Sequence, residues 1–239
     1  MVHWKQYGEK EEVDKLKKAL VAGATGLVGR HVVKELINSK KYDEIHLVTR
    51  RRTPFYKHPL VQEHLISFDE LDQIDEVFEK VNDVFVTLGT TMKQAKSHQA
   101  FIKVDYTYPI KLAEMAKKYH TDRFLLVSAM GADRESRFFY NRVKGTLEEG
   151  LMTMKLPALH IFRPSLLIGE RYEFRAGEKS AEWLSKPLSF FLIGSLKKFK
   201  PVKGSHVAAS MYEVAQQDSP GTHIYESDQI RHLGHVLKA

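Results

Sequence analysis

The chain has 239 residues, 43% of them hydrophobic, which is enough to bury one sizeable core. It contains no cysteine, which excludes disulfides, thiolate nucleophiles and cysteine zinc sites and is typical of a reducing compartment. The net charge of +7 favours anionic partners, but the basic residues are scattered, so we expect no nucleic-acid binding.

The ends and the apolar runs of the sequence bear on its location. The first 18 residues are charged and amphipathic, unlike a signal peptide, and are expected to form an N-terminal extension. The longest apolar run, residues 188–196, is too short to span a bilayer. We therefore expect no membrane association and a cytoplasmic location.

The first candidate site is a glycine-rich turn. An apolar strand at residues 19–22 is followed by G-A-T-G-L-V-G and then by apolar residues at helical spacing. This pattern is typical of a dinucleotide-binding turn, in which the glycines allow a tight turn, close approach of a pyrophosphate and packing of the helix on the sheet. An ordinary glycine-rich turn is the alternative. The candidate cofactor-binding residues are Gly23, Thr25, Gly26, Leu27, Val28 and Gly29.

A second strand, residues 45–49, ends on Arg50, Arg51 and Arg52. In a Rossmann unit, the end of the second strand meets the adenosine ribose. An acidic residue there accepts a hydrogen bond from the 2′-hydroxyl of NAD, whereas arginine accommodates the 2′-phosphate of NADP. Guanidinium pairs well with phosphate, so Arg50 and Arg51 predict a preference for NADP(H) over NAD(H). A solvated surface cluster is the alternative.

The middle of the chain continues the alternation of strands and helices. We expect a third strand near residues 65–68, a helix over 70–80, and a fourth strand that ends at Leu88, Gly89 and Thr90, small residues that suit contact with a cofactor. Residues 97–119 are helical in pattern. Because Pro109 lies inside this stretch, it is either two segments or one kinked helix.

A fifth apolar strand ends at Ser128, where ligands bind in open α/β sheets. Tyr140 and Lys144 follow, four residues apart on a predicted helix, and so share one face. A nearby ammonium favours the phenolate, which brings the tyrosine pKa towards neutrality and suits proton transfer. A half-buried tyrosine beside a solvated lysine is the alternative.

The last third of the chain is predicted to complete the sheet and to form a cap. A sixth strand breaks at Arg163 and Pro164, and residues 165–204 are expected to form most of a basic, aromatic cap on the substrate side. A helix with Ser205 as its cap, a strand at 221–227 and a helix capped by Asp228 would follow. The twelve histidines do not form H-E-x-x-H, so we expect no metal site.

Taken in order, the glycine turn, the arginines, L-G-T-T, G-A-D, Y-N-R-V-K, F-R-P and R-A-G-E resemble an atypical short-chain dehydrogenase/reductase, an NAD-dependent epimerase/dehydratase-like Rossmann protein, and most of all the Tat-interacting oxidoreductase group. The resemblance implies a doubly wound parallel sheet in one domain with bound NADP(H). It also implies that Ser128 orients the substrate oxygen, Tyr140 exchanges the proton, and Lys144 tunes Tyr140 and holds ribose. The backbone near Pro164 and Ser165 would face the nicotinamide. Asp105 stands where this group often has asparagine.

These observations predict an α/β oxidoreductase that moves a hydride between NADP(H) and a carbonyl or alcohol on a small substrate, which the basic cap suggests is anionic. One alternative is a cofactor-sensing regulatory or scaffold protein that binds a protein partner and has little turnover. Another is an epimerase or dehydratase that holds its cofactor tightly.

Overall fold

The computed structural model describes residues 16–169 and 199–236. Seven parallel strands form the main sheet in the order β3-β2-β1-β4-β5-β6-β9. The expected α/β class with a doubly wound parallel sheet is confirmed. The strands of this sheet are β1 (Lys17–Ala22), β2 (Tyr42–Thr49), β3 (Val61–Leu65), β4 (Asp83–Val86), β5 (Arg123–Val127), β6 (Ala158–Arg163) and β9 (Gly221–Glu226).

Helices cover both faces of the sheet, because its central strands are apolar on both sides. One core lies under α1, α6 and α7, and the other lies under a 3₁₀ helix (Phe68–Lys80), α4 and α5. The helices are α1 (Gly29–Asn38), α2 (Met92–Ala95), α3 (His98–Ile102), α4 (Tyr108–Lys118), α5 (Phe139–Thr153), α6 (Gly204–Ala215) and α7 (Ser227–Val236).

Strand order reverses between β1 and β4. Strands β2 and β4 both pair with β1, with Ala19 of β1 opposite Ile45 on one side and opposite Asp83 on the other. The segments that follow β1 and β4 therefore lead to helices on opposite faces of the sheet and leave a crevice between them. In open α/β sheets this is the position where ligands bind.

Several predicted boundaries were wrong. The third strand is Val61–Leu65, not 65–68, because the Ser67 hydroxyl accepts from the Asp69 amide and begins the 3₁₀ helix. The helix at Gly204–Ala215 begins one residue before Ser205, so Ser205 is not its cap, and Asp228 lies in the first turn of α7.

The stretch around Pro109 is resolved into three consecutive segments. One π-helical turn, Lys103–Thr107, joins α3 to α4, and Pro109 lies in the first turn of α4. Proline is tolerated there because the amide it lacks has no partner inside the helix. The π turn brings Asp105 to a buried position that a continuous helix pattern does not suggest.

Much of the predicted cap and extension lies outside the described residues. Of residues 165–204, the described part contains β7 (Leu167–Ile168), which pairs with β8 (Val202–Lys203). The predicted extension overlaps the sheet, because Lys17 and Lys18 already belong to β1. No helix within residues 16–169 and 199–236 is long and apolar enough to cross a membrane.

Candidate functional site

A cavity of about 1020 Å³ opens at the crevice between the loops after β1 and β4. It extends from the glycine turn and the arginines after β2 to the face of α5 that carries Tyr140 and Lys144. Of the predicted site residues, those that line it are Thr25, Gly26, Leu27, Val28, Arg50, Arg51, Leu88, Gly89, Thr90, Ser128, Tyr140, Lys144, Pro164 and Ser165.

Gly23 and Gly29 are predicted site residues that shape the turn instead of lining the cavity. Gly23 has a φ of +98°, and a Cβ there would lie 2.6 Å from Thr87 Oγ1. A Cβ on Gly29 would lie 2.2 Å from the Gly23 carbonyl oxygen. The two glycines therefore let the turn close on itself and on the end of β4, while Thr25 and Gly26 face the ligand space.

The arginines after β2 separate into two groups. Arg50 and Arg51 line the cavity, and the Thr49 hydroxyl donates to the Arg51 carbonyl over 2.8 Å, which fixes the backbone where the strand ends. The Arg52 guanidinium instead lies over the ring of Tyr56, 4.8 Å from its centroid. Arg30, in the first turn of α1, also lines the cavity and was not predicted. This end of the cavity is therefore strongly basic.

The loop after β4 is tied to the π turn. The Thr90 amide donates to Asp105 Oδ2 over 2.9 Å, and Leu88 and Gly89 line the cavity beside it. Asp105 is 1% exposed, and its other oxygen, Oδ1, lies 2.8 Å from Lys144 Nζ. One carboxylate thus connects the loop that is expected to contact the cofactor with the helix that is expected to carry the chemistry.

Lys144 and Tyr140 share one face of α5, as their spacing predicted. The Tyr140 ring packs edge-on against Phe101, with centroids 5.8 Å apart. Burial raises the pKa of Tyr140 and Asp105 raises it further, whereas Lys144 lowers it, and the net direction is upward. Burial lowers the pKa of Lys144, but Asp105 and Tyr140 reverse this, so the pKa of Lys144 is raised and the side chain carries its charge.

The upward direction corrects the expectation that the ammonium alone would bring the tyrosine pKa towards neutrality. That expectation considered only Lys144, which is close in sequence. Asp105 comes from a different segment and opposes the ammonium across 2.8 Å. The pairing of distant segments therefore decides the electrostatics of this face of α5.

Ser128, at the end of β5, hydrogen-bonds to a second buried carboxylate. Its hydroxyl donates to Glu148 Oε1, and Glu148 is 1% exposed, one turn beyond Lys144 on α5. Arg163 donates to the same carboxylate through Nη2 at 2.5 Å and Nε at 3.1 Å, and also pairs with Glu226 at 3.2 Å. This network, Ser128–Glu148–Arg163–Glu226, fixes the rotamer of the serine and links β5, α5, β6 and β9.

The backbone after β6 is held close to Ser128. The Pro164 carbonyl accepts from the Met130 amide over 3.0 Å, and the Ser165 amide donates to the Ser227 hydroxyl over 2.5 Å. Leu166 and Phe199, 56% and 48% exposed, line the cavity beyond them. The described part of the substrate end is therefore mostly apolar, and the predicted basic cap lies mainly in residues outside it.

Sequence reasoning gave no role to four side chains that build the site, Arg30, Asp105, Glu148 and Arg163, although it noted that Asp105 stands where related proteins often have asparagine. Three of them had a signal, because Arg30 follows the last glycine directly and Glu148 and Arg163 are charged residues within apolar patterns. Buried charges of that kind must be paired. Within the described ranges, no group of three or more histidines or carboxylates is arranged to hold a metal ion.

Comparison with known proteins gives the same picture. Residues 23–167 match the family described as NAD(P)H-binding. The chain is 31% identical over 223 residues to Protein HTATIP2 of Rattus norvegicus, covering 91% of this chain and 89% of that protein. It is 32% identical over 229 residues to Protein FMP52-1, mitochondrial, of Scheffersomyces stipitis, covering 90% and 97%.

Among solved structures, the Bordetella bronchiseptica enzyme WbmH in complex with NAD⁺ superposes with a TM-score of 0.68 at 15% identity, over 93% of this chain and 81% of that one. This likeness shows the Rossmann fold. The resemblance to epimerase/dehydratase-like Rossmann proteins and to the Tat-interacting group, expected from the motifs, is confirmed.

The expectation of a cytoplasmic location was wrong. FMP52-1 and further fungal relatives are named as mitochondrial proteins, which conflicts with a purely cytoplasmic assignment. The expectation rested on composition and on the charged start of the sequence, and neither reports the compartment directly.

Proposed function

The chain belongs to the NAD(P)H-binding family, and from that membership we propose that it is an NADP(H)-dependent oxidoreductase of the short-chain dehydrogenase/reductase type. In this proposal it transfers a hydride to or from a carbonyl or alcohol on a small substrate. The observation that carries the proposal is that one cavity is lined by the glycine turn, the arginines after β2, and Ser128, Tyr140 and Lys144.

The residues around the cavity fit a dinucleotide. The turn at Gly23 packs so closely on Thr87 that a side chain is excluded there, which keeps backbone at the surface where a pyrophosphate would bind. Arg50 and Arg51, with Arg30 nearby on α1, supply guanidinium groups for an adenosine 2′-phosphate. Among the residues that the structure describes, no carboxylate lines this end of the cavity, which supports NADP(H) over NAD(H).

Three side chains would carry out the proton chemistry. A bound NADP(H) supplies or accepts the hydride at the substrate carbon. Tyr140 would donate a proton to the substrate oxygen in reduction and take it back in oxidation. Ser128 would orient the substrate oxygen: its lone pairs accept from an alcohol while its own hydrogen goes to Glu148, and the same hydrogen would turn to a carbonyl oxygen in reduction. Lys144 would hold the ribose and stabilise charge near Tyr140.

The first experiment is calorimetric titration of the cofactor-stripped protein with NADPH and NADH. We expect NADPH to bind more tightly, and the preference to disappear in Arg50→Ala/Arg51→Ala. Arg52→Ala is the matched control, because Arg52 lies on Tyr56 away from the cavity, and it should keep the preference. If wild-type protein binds neither dinucleotide, the proposal fails.

A panel of carbonyl compounds, including anionic ones, then tests turnover. NADPH oxidation on any of them supports the oxidoreductase. Tight NADPH binding without turnover, together with a partner protein captured only in the NADPH-bound form, would favour the sensing protein instead. Dinucleotide that stays bound and never exchanges during turnover would favour an epimerase or dehydratase.

A further inference from the structure

Asp105 occupies an unusual place in the fold. It lies at the centre of the π turn between α3 and α4 and is 1% exposed. Single π turns inside helices are rare and are found frequently at functional sites. The two carboxylate oxygens have separate partners, since Oδ2 accepts from the Thr90 amide at 2.9 Å and Oδ1 lies 2.8 Å from Lys144 Nζ.

Asp105 is the countercharge of Lys144. Two further groups face the ammonium, Tyr140 and Glu148, both on α5. Glu148 is already engaged by Ser128 and by two guanidinium nitrogens of Arg163. Lys144 is 2% exposed, so water does not screen its charge, and its close pairing with Asp105 leaves little net charge at this point.

The pair has a direct consequence for Tyr140, which faces both charges. An ammonium alone beside a phenol stabilises the phenolate, and a carboxylate alone destabilises it. Here both charges act together. Burial is the largest cause and raises the pKa of Tyr140, Lys144 lowers it and Asp105 opposes Lys144, so the pKa stays above its ordinary value.

We propose that Asp105 is a positioning residue that fixes Lys144 against the loop after β4 and cancels its charge, so that Tyr140 enters the reaction as a proton donor. The inference rests on the proposed function and makes it more specific, because it names the countercharge that keeps Tyr140 protonated for the reductive step. The hydride of the reduced nicotinamide goes to the carbonyl carbon, the Tyr140 proton goes to the carbonyl oxygen, and the products are the alcohol and the oxidised dinucleotide. The phenolate then regains its proton from solvent.

The test reads the protonation of Tyr140 directly and needs no substrate. The full chain is labelled with ¹³C at the Cζ of its ten tyrosines and titrated by NMR, and Tyr140→Phe identifies the resonance of Tyr140. In Asp105→Asn we expect its titration midpoint to fall by at least about one pH unit, since an uncompensated ammonium then faces the phenol. An unchanged or higher midpoint overturns the proposal.

Asp69→Asn is the matched control. Asp69 pairs with Lys103, at the start of the same π turn, over 3.0 Å, but both side chains are about half exposed and neither lines the cavity. Removal of this carboxylate should leave the midpoint of Tyr140 where it is in the wild type. An equal fall in Asp69→Asn would mean that the π turn, and not the charge of Asp105, sets the titration.

A second variant covers the case in which Asp105→Asn does not fold because it leaves a buried ammonium unpaired. Asp105→Asn/Lys144→Met removes both charges together. We expect the midpoint of Tyr140 to stay within about one pH unit of the wild-type value, because two opposing effects are removed together. A rise of about one unit or more would show that Lys144 acts uncompensated in the wild type and would overturn the proposal. The titration is independent of turnover, so failure of the oxidoreductase assignment is seen separately, in the calorimetry and on the carbonyl panel.

Discussion

Two walls of the cavity are built by different means. The turn wall, residues 23–29, is shaped by backbone that packs on backbone, with a would-be Cβ of Gly29 only 2.2 Å from the Gly23 carbonyl. The charged wall, made by Ser128, Tyr140 and Lys144, is held by ion pairs and hydrogen bonds that involve Asp105, Glu148 and Arg163. The turn wall depends on a few consecutive residues, whereas the charged wall depends on segments far apart in the chain.

The two walls therefore respond differently to substitution. In the turn wall, an added Cβ would overlap neighbouring atoms, so substitution destabilises the protein by overpacking. In the charged wall, a removed atom leaves a buried charge without its partner, so damage comes from desolvation. The three predictions below test this contrast, beginning with the largest effect.

The largest effect is expected at the hydroxyl of Tyr140. Tyr140→Phe removes the proposed proton donor but keeps the ring that packs on Phe101. Turnover of the best substrate found on the carbonyl panel should fall by about 10²–10⁴, the usual contribution of a positioned acid or base, while NADPH affinity measured by calorimetry stays within a factor of a few.

The control for this prediction is Tyr119→Phe, which also removes a hydroxyl that hydrogen-bonds, here to Asp75 over 2.9 Å and away from the cavity. It should keep its turnover. Unchanged turnover in Tyr140→Phe would remove Tyr140 from the chemistry and leave the charged wall without a proton donor.

The second prediction concerns the stability of the charged wall. Glu148→Ala leaves Arg163 without its buried partner and the Ser128 hydroxyl without its acceptor. The free energy of unfolding should fall by about 3–5 kcal/mol, measured by urea denaturation at neutral pH.

Glu149→Ala provides the comparison on the same helix. Glu149 pairs with Arg134 at 2.5 Å, but the glutamate side chain is 45% exposed and the arginine 58%. An exposed pair contributes about 0–1 kcal/mol, so this variant should be close to wild type. If the two variants lose equal stability, burial does not distinguish the two ion pairs and the account of the charged wall is incorrect.

The two walls also differ in how far the sequence predicted them. The glycine turn, the arginines and the succession of strands along the chain follow from local patterns, because a turn or a strand is specified by neighbouring residues. The spacing of Tyr140 and Lys144 likewise placed both on one face of α5. These are the parts that the structure brings to one cavity as expected.

The partners of the charged wall could not be predicted in the same way. Asp105 is 39 residues from Lys144 and reaches it only because the π turn rotates it inward, and no local pattern marks that turn. The pKa of Tyr140 was therefore expected to fall, whereas it is raised. The partner of Ser128 was equally hidden in the sequence, since Glu148, which accepts its hydrogen bond, lies on the next helix. The pairing of buried charges that lie far apart in the chain can be recognised only once the fold is known.

The smallest effect is expected in the turn wall. Gly23→Ala and Gly221→Ala both place an alanine at positive φ, +98° and +89°, which costs about 1–2 kcal/mol in each case. Only at Gly23 does the new Cβ also meet backbone, 2.8 Å from the Thr87 carbonyl carbon, while at Gly221 nothing lies within 4 Å. The difference in unfolding free energy between the two variants should be about 1–3 kcal/mol, and NADPH affinity should fall in Gly23→Ala alone. Equal losses would mean that positive φ accounts for the whole effect and that the turn does not depend on close packing against β4. Because both variants carry the same backbone strain, their difference isolates that packing.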